Sequence, residues 1–337
     1  MKWKKRFELW ITSNLRQILH PLIWSVLHLI YFLPSRIVGE SFYINKIRKR
    51  SKVDRSFTSR LLEQSLVKDP LFTKLSDKCE VRNIVSEIAG SQYLPKIFQI
   101  CSKADEIDFA LLPEEFVIKT NHGSGGNIIV TRSASSLEFL PNHVFGLPFK
   151  TLRIRPENFS QSSAAKILNH WLSKDFSWFP GKPMPEWGYK HIQRKILVEE
   201  FLPGTEGFGP IEYRCWCLKG EIRFIRAVQR TSLNNLENAN SGLLTVFSRS
   251  WEQMDTTEGA QIGTYKDAVP PLSIPPNADE FILAVESLAS LVTCVRVDMN
   301  VDREKVLFSE MTLYPNSGMT VLAPQSLNQA LGDIWGD

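Results

Sequence analysis

The chain has 337 residues, of which 43% are hydrophobic, so a folded protein of two or three domains is expected. The net charge of +4 is modest and its basic residues gather near the N-terminus, which does not indicate a nucleic-acid-binding protein. The five cysteines include no metal-type C-x-x-C pair, and this pattern favours a reducing, cytoplasmic compartment over a disulfide scaffold.

The first feature along the chain is an apolar stretch, LHPLIWSVLHLIYFL, at 19–33, with the basic run KIRKRSK following at 46–52. It is shorter than the roughly 20 residues that cross a bilayer core, so we do not expect a spanning helix. Two interpretations of residues 1–34 stay open. The segment is either a helix at the inner face of the cell membrane, attracted by anionic lipid, or a helix packed on protein.

Helical spacing covers 53–92 and ends near Gly90. From Phe116 onward β patterns dominate, with helices predicted at 164–171 and 278–291. The strands and helices do not alternate regularly. The order therefore predicts an α+β fold with antiparallel hairpins rather than a doubly wound parallel sheet.

The stretch FVIKTNHGSGGNIIV at 116–130 places Lys119 before a glycine-rich loop and β-forming residues directly after it. A Walker-type loop has its lysine after the glycines, and both that loop and the Rossmann turn lead into a helix. The pattern instead predicts two strands joined by a turn whose backbone N–H groups close over an anion. The alternative is an ordinary hairpin, although residues 121–127 are more than most hairpins need.

Near the C-terminus, VRVDMN and VLFSEMT flank a polar turn and predict an antiparallel hairpin. If the turn centres near Glu304, Asp298 faces Glu310 and Arg296 faces Thr312, with all four side chains on one face. Opposed carboxylates require a cation between them, and Mg²⁺ shared with phosphates is the natural occupant. The alternative is a solvated hairpin face, and a slip of one residue would abolish the carboxylate pair.

Other segments accompany these two in a fixed order: DKCEVR at 77–82, YLP at 93–95, EW and YK at 186–190, VEEFL at 198–202, VRVD at 295–298 and EMTLYPNSG at 310–318. Together with the glycine loop they resemble the ATP-grasp superfamily of carboxylate–amine ligases, and most closely its TupA-like polysaccharide-biosynthesis branch. The resemblance runs through most of residues 70–320.

The resemblance implies the ATP-grasp fold, in which two α+β subdomains grip ATP. Four divisions are expected: an apolar helix at 1–34, a small pre-ATP-grasp domain at 35–115, a subdomain with the glycine-rich loop at 116–197, and a subdomain with the adenine segment and metal site at 198–337.

The resemblance also implies site residues. Those implied to bind ATP are Lys78 and Lys119, the loop residues His122, Gly123, Ser124, Gly125 and Gly126, and the adenine segment Glu199, Glu200, Phe201 and Leu202. Those implied to hold Mg²⁺ are Asp298, Glu310 and, because Thr312 stands where the superfamily often has Asn, Asn316. Those implied to act in catalysis, facing phosphate or a substrate carboxylate, are Lys119, Arg296 and Arg214, with Arg230 as a further candidate. For His122 a hydrogen bond that orders the loop is an equal alternative.

The implied function is ATP-dependent amide formation through an acyl phosphate, joining an amino acid or other amine to a uronic acid of a surface polysaccharide or its precursor. A glycosyltransferase is one alternative, but it would often carry a D-x-D motif, and the chain has none. A catalytically inactive nucleotide-binding protein is another. The joint presence of Lys78, Lys119, Asp298 and Glu310 weighs against that alternative.

Overall fold

The computed structural model describes residues 44–177 apart from 46, then 186–205, 208–230, 241–255, 259–260, 264–318, 320 and 322–336. The apolar stretch expected at 1–34 lies outside these residues. Within the part of the chain that is described, no helix is long and apolar enough to cross a membrane.

Helices lie before the first strand, between groups of strands and after the last strand. The α-helices are α1 (44–53, apart from 46), α2 (Phe57–Gln64), α3 (Pro70–Ser76), α4 (Glu80–Ile88), α5 (Gln161–Ser173), α6 (Trp187–Lys190), α7 (Ala278–Ala289) and α8 (Gln325–Gly336). Short 3-10 turns lie at Ser91–Tyr93, Ala104–Glu106, Phe109–Leu111, Pro156–Asn158 and Pro315–Gly318.

The helical region predicted at 53–92 is divided into separate helices by its own capping residues. Asp69 accepts a hydrogen bond from the backbone of Leu71, and Pro70 occupies the first turn of α3. Asp77 then ends α3 and accepts a bond from the backbone of Cys79 at 2.8 Å, where α4 begins. Gly90 follows α4 with φ +112°, a conformation that favours glycine, so the helix end predicted there is confirmed.

A first, five-stranded sheet carries the glycine-rich loop. Its strands are β1 (Ile97–Cys101), β2 (Phe116–Thr120), β3 (Asn127–Val130), β4 (Thr151–Ile154) and β5 (Ile196–Glu200), in the order β1-β5-β2-β3-β4. All neighbours are antiparallel except β3 and β4. Helix α5 covers one face, where Ile167 and Trp171 pack with Ile118 and Ile128 in a common core.

A second sheet carries the acidic hairpin. Its strands are β6 (Ile211–Leu218), β7 (Glu221–Gln229), β8 (Ser241–Phe247), β9 (Gln253–Met254), β11 (Thr264–Asp267), β12 (Cys294–Asp302) and β13 (Lys305–Thr312), in the order β11-β8-β7-β6-β12-β13 with β9 beside β8. A short ladder joins β10 (Gly259–Ala260) to β14 (Leu322–Ala323). The α+β fold class is confirmed.

The two faces of the second sheet differ in chemistry. One face packs on α7, with Phe281 and Val285 against Tyr213 and Val297 in the largest core cluster. The other face is apolar at one end, where Phe57 of α2 and neighbouring side chains of α8 cover Trp216 and Phe224. It is apolar again toward β8, at Val228, Leu244 and Val246. The remainder of that face carries charged side chains. This division sets where a polar site is formed.

The predicted register of the hairpin β12–β13 is confirmed for Arg296 with Thr312 and for Asp298 with Glu310. The tight turn lies at 303–304, so a regular ladder would have shifted these pairs by one residue. A bulge between Asp298 and Met299 restores the register, because Met299 pairs with Phe308 and leaves Ser309 as the extra residue.

The division expected at 197/198 stays a prediction. Strand β5 spans that position and pairs entirely within the first sheet, on which β1 also lies. The polypeptide leaves the first sheet after Glu200 and enters the second at Ile211.

Helices α2 and α8 touch closely enough that a glycine is required between them. A Cβ at Gly332 would lie 2.1 Å from the carbonyl oxygen of Arg55 and 2.7 Å from the backbone nitrogen of Phe57. Beside this contact, the Asn328 side chain accepts from the backbone of Thr58 at 3.1 Å, and Gln64 donates to the carbonyl of Leu313 at 2.8 Å.

Gly332→Ala is expected to lower the free energy of unfolding by about 1–3 kcal/mol, because overpacking against backbone exceeds the gain of about 1 kcal/mol from helix propensity. Urea denaturation measures the difference. Ser326→Ala on the exposed side of the same helix is the control and should leave stability unchanged. A Gly332→Ala protein as stable as the wild type would contradict the close α2–α8 contact.

Candidate active site

The glycine-rich loop connects β2 to β3 as the sequence predicts, with Lys119 and Asn127 as its closing pair. Gly125 has φ +81°, and its carbonyl accepts a 2.9 Å hydrogen bond from the backbone of Asn127. The inner side of the loop lies on Phe149, because a Cβ at Gly126 would stand 2.6 Å from that ring. Ser124 is exposed at the tip of the loop.

Asn121 joins the loop to the rest of the protein. It is completely buried, and its side-chain amide donates to Asp77 Oδ1 at 2.8 Å and to the carbonyl of Gln193 at 2.9 Å. Its side-chain oxygen accepts from the backbone of Lys195 at 2.7 Å. The Asn121 carbonyl also accepts from the backbone of Lys78 at 3.2 Å, so this one residue fixes Lys78 beside the loop.

Lys78 reaches from the α3–α4 connection into the cleft between the sheets. Its Nζ donates to the carbonyl of Gly123 at 2.5 Å and lies 4.0 Å from Glu310 Oε2. Burial lowers the pKa of Lys78, and the Glu310 carboxylate opposes that effect. Lys78 therefore brings the glycine loop of the first sheet and the acidic hairpin of the second to one point.

Lys119 pairs with the adjacent strand. Its Nζ lies 2.5 Å from Glu199 Oε1, and both side chains are largely buried. The pair is diagonal across β2 and β5, where Val117 is the residue directly opposite Glu199. The second oxygen, Glu199 Oε2, is buried and has no hydrogen-bond partner among the described residues.

The segment predicted to meet adenine turns its two acids to opposite sides of the sheet. Glu199 is held by Lys119, whereas Glu200 accepts from the backbone of Lys96 at 2.7 Å and lies 3.6 Å from Lys305. Phe201 and Leu202, which follow, are half-buried. The adenine role of this segment stays a prediction.

The acidic hairpin holds its side chains together through Arg296. The guanidinium donates to both oxygens of Asp298, at 2.7 and 2.5 Å, and to Glu310 Oε1 at 3.4 Å. Thr312 Oγ1 also bonds Glu310, at 3.2 Å. Burial raises the pKa of the inaccessible Asp298 to about 7, against the lowering effect of Arg296. An added cation would favour the charged carboxylate.

Asp298 and Glu310 fit Mg²⁺ by donor chemistry, because magnesium takes oxygen ligands and commonly uses one or two protein carboxylates beside substrate phosphates. In the described part of the chain, no group of three or more His, Cys, Asp or Glu side chains converges on one point. Asn316 is exposed in a left-handed conformation with φ +50°, and it is not among the contacts of either acid. Its role as a third ligand stays a prediction.

Arg214 and Arg230 share an acid that the sequence did not single out. Arg214 donates to Glu212 Oε2 at 2.7 Å, and Arg230 lies 3.6 Å from the same oxygen. Burial raises the pKa of Glu212, but the two arginines outweigh it and hold the pKa at about 2.

Asn121 and Asp77 were also missed as site residues. Both stood within quoted motifs, but only their tertiary contacts reveal what they do.

Comparison with known proteins identifies the class. A family model described as TupA-like ATPgrasp matches residues 56–335, well over half of the chain. The fold is therefore of the ATP-grasp class. The chain belongs to the TupA-like ATP-grasp family.

Solved structures of similar fold are distant in sequence. D-alanine–D-alanine ligase from Bacillus anthracis is 14% identical, with a TM-score of 0.38 over 78% of this chain and 63% of that chain. A RiPP-associated ATP-grasp ligase from Chryseobacterium gregarium, in complex with ADP and a leader and core peptide, is 11% identical, with a TM-score of 0.39 over 90% and 72%. The chain thus spans less than two thirds of the Bacillus enzyme. No curated protein sequence matches it.

His122 turns inward rather than toward the open side of the loop. Its Nε2 lies 3.2 Å from the carbonyl of Lys174, its ring meets Phe149 edge-on, and its Nδ1 is buried without a partner. Burial, with a contribution from Arg194, lowers the pKa of His122 to about 4. These contacts favour the loop-ordering alternative.

The depressed pKa of His122 predicts a loss of stability in acid. As pH falls from about 6.5 toward 4, the unfolded chain binds a proton that the folded chain does not, which costs on the order of 2 kcal/mol. His122→Gln should reduce that loss, measured by urea denaturation at a series of pH values. The exposed His143→Gln is the control and should behave as the wild type does. Equal pH slopes for His122→Gln and wild type would contradict the assignment.

Proposed function

We propose that the protein is an ATP-dependent carboxylate–amine ligase that forms an amide through an acyl phosphate. One observation carries the proposal: the Lys78 ammonium bonds Gly123 in the glycine loop and lies 4.0 Å from Glu310. Cations and carboxylates from separate parts of the chain thus surround one cleft. Such an arrangement suits the transfer of a phosphoryl group, whose catalysis is mainly positioning and electrostatic stabilisation.

The proposed roles follow from the charges. Lys78 and Lys119 bind phosphate oxygens, while the backbone of residues 123–126 covers the phosphates. Lys119 exchanges part of its contact with Glu199 for phosphate, since one cation can serve both anions at its separate N–H groups. Asp298 and Glu310 hold Mg²⁺, which supplies positive charge beside the phosphates when bound.

The reaction has two steps that balance without a protein nucleophile. A substrate carboxylate oxygen attacks the γ-phosphorus of ATP and ADP leaves, giving an acyl phosphate. The nitrogen of an amine then attacks the acyl carbon, phosphate leaves, and the nitrogen loses a proton. Arg296 and Arg214 orient the anions, and closure of the glycine loop excludes water that would hydrolyse the acyl phosphate.

The proposed substrates are a uronic acid, free or within a surface polysaccharide precursor, and an amino acid or other amine. Membership of the TupA-like family supports this choice over other carboxylates. The proposed compartment is the cytoplasm, where ATP is available.

ADP release should depend on both a uronic acid and an amine. Lys119→Met and Glu310→Gln should each lower this rate by about two orders of magnitude or more, because each removes charge beside the transferred phosphoryl group. A coupled ADP assay measures the rate, and hydroxylamine added in place of the amine should yield a hydroxamate from the acyl phosphate. Arg132→Gln, which breaks only the exposed ion pair with Glu114, is the control.

Near-normal rates in both site variants would remove the site assignment. Release of a nucleoside diphosphate from a nucleotide sugar, without ATP, would instead establish a glycosyltransferase. Nucleotide binding without turnover on any acid and amine pair would establish an inactive binding protein.

We further propose that residues 1–34 hold the enzyme at the inner face of the membrane, near a lipid-linked acceptor. The apolar stretch with basic flanks supports this, since burial of apolar side chains and attraction to anionic lipid act together.

Deletion of residues 1–34 should abolish co-flotation with vesicles containing anionic phospholipid and leave ADP release on soluble substrates within about two-fold. Vesicles of zwitterionic lipid alone are the control and should bind the full chain more weakly. Unchanged flotation after the deletion would contradict the proposal, and a loss of folded protein would favour the helix packed on protein.

A further inference from the structure

A row of charged side chains crosses the second sheet and extends beyond the acidic hairpin. Strand pairing places Arg226 of β7 opposite Arg214 of β6, Arg214 opposite Asp298 of β12, and Asp298 opposite Glu310 of β13. Residues directly opposite each other share a face of the sheet. With neighbouring strands ~4.8 Å apart, the backbone of Arg226 lies ~10 Å from that of Asp298.

Arg226 is the buried cation at one end of this row. Its side chain is buried, with 5% of the residue exposed, and its Nε has no hydrogen-bond acceptor. Among the residues that the structure describes, it makes no hydrogen bond or ion pair. Burial lowers the pKa of Arg226 to about 10, and the like charge of Arg214 adds to the effect, yet the group remains charged at neutral pH.

A second arginine of this kind comes from the first sheet. Arg153 of β4 has a buried Nη1 without an acceptor, and burial followed by the charge of Arg230 lowers its pKa to about 10. Strand pairing places Arg153 on the face of the first sheet that carries Glu199, because Ile129 and Val117 lie between them in one row. Arg230, which follows β7, has 44% of its side chain exposed. The cluster opens to solvent at that end.

The neighbouring acids are already engaged. Glu212 pairs with Arg214 and Arg230, and Asp298 accepts two hydrogen bonds from Arg296. Among the described residues, Arg226 and Arg153 are therefore positive charges in excess of the local carboxylates. Burial of an uncompensated cation destabilises a fold by several kcal/mol unless an anion is supplied. An excess of this kind beside a reaction cleft indicates a bound anionic group.

We propose that Arg226 and Arg214, flanked by Arg153 and Arg230, bind a second anionic group on one of the ligase substrates. This inference rests on the proposed function. The group is a phosphate or a carboxylate, and it is distinct from the carboxylate that is activated. Its sources are a phosphate on the sugar acid, as in a nucleotide- or lipid-linked precursor, or the side-chain carboxylate of an acidic amino acid.

Binding in the presence of saturating ADP and Mg²⁺ tests the proposal without requiring turnover. Isothermal titration would compare glucuronic acid 1-phosphate with methyl glucuronide, and L-glutamate with L-glutamine. In one of these pairs the doubly anionic member should bind the wild type about 10-fold tighter or more, as expected for a charge-assisted hydrogen bond. The pair that discriminates identifies the source of the anion.

Arg226→Gln should remove that preference, while the member with one anionic group binds as before. Arg223→Gln, on the same strand but paired with Glu221 at 2.9 Å, is the matched control and should retain it. A wild type with no preference in either pair would overturn the proposal, as would an Arg226→Gln protein that keeps the preference.

Thermal unfolding of the ligand-free protein separates a binding role from a structural one. Arg226→Met removes an unpaired buried charge while filling similar space, so its Tm should rise by about 2 °C or more. A lower Tm would show that the arginine supports the fold and would overturn the proposal. The two proposals can also fail separately. If the wild type releases no ADP but prefers the ligand with two anionic groups, and Arg226→Gln abolishes that preference, the ligase function is refuted and the anion site is retained.

Discussion

The hydrogen bonds of Asn121 are the constraint on which the rest of the site depends. One buried side chain joins the end of β2 to Asp77 and to the segment that leads into β5, and its carbonyl holds the backbone of Lys78. A buried amide that loses such partners leaves several polar groups unsatisfied, each costing about 1–3 kcal/mol. This connection places Lys78 where its ammonium contacts both the glycine loop and the acidic hairpin. Asp77 serves both purposes, since the same carboxylate oxygen that receives Asn121 also receives the backbone of Cys79 at the start of α4.

Several lysine and arginine side chains in the cleft are paired with carboxylates of the protein itself. Lys119 has Glu199, Lys78 has Glu310 at the limit of ion pairing, and Arg296 holds Asp298 by two hydrogen bonds. These pairs keep buried charge tolerable before substrates bind. Polyanionic substrates and Mg²⁺ would redistribute the same contacts rather than create a site from uncharged residues. Arg226 and Arg153 differ because no acid in the described part of the chain pairs with them, and for that reason they point to an additional anionic group.

The sequence predicted the fold class, the strand–loop–strand form of 116–130 and the facing pair of Asp298 and Glu310. It succeeded where local patterns determine the outcome: alternation along strands, glycines in a loop and a short polar turn. The hairpin pair was right for a reason that the sequence did not show, because a bulge compensates for the true position of the turn. Asn121, Glu212 and Arg226 were not predicted as site residues, since their importance lies in side-chain contacts and burial that no local sequence pattern shows. A lone Asn or Arg on a strand carries no local signal of such contacts.

The most direct test of this account is a structure of the protein with ADP and Mg²⁺. In that structure, Lys119 Nζ should lie within hydrogen-bond distance of a phosphate oxygen, and its 2.5 Å contact with Glu199 should lengthen. Asp298 and Glu310 should ligate the metal between the two sheets. A nucleotide bound elsewhere, with Lys119 still held only by Glu199 and no metal at the two acids, would contradict it.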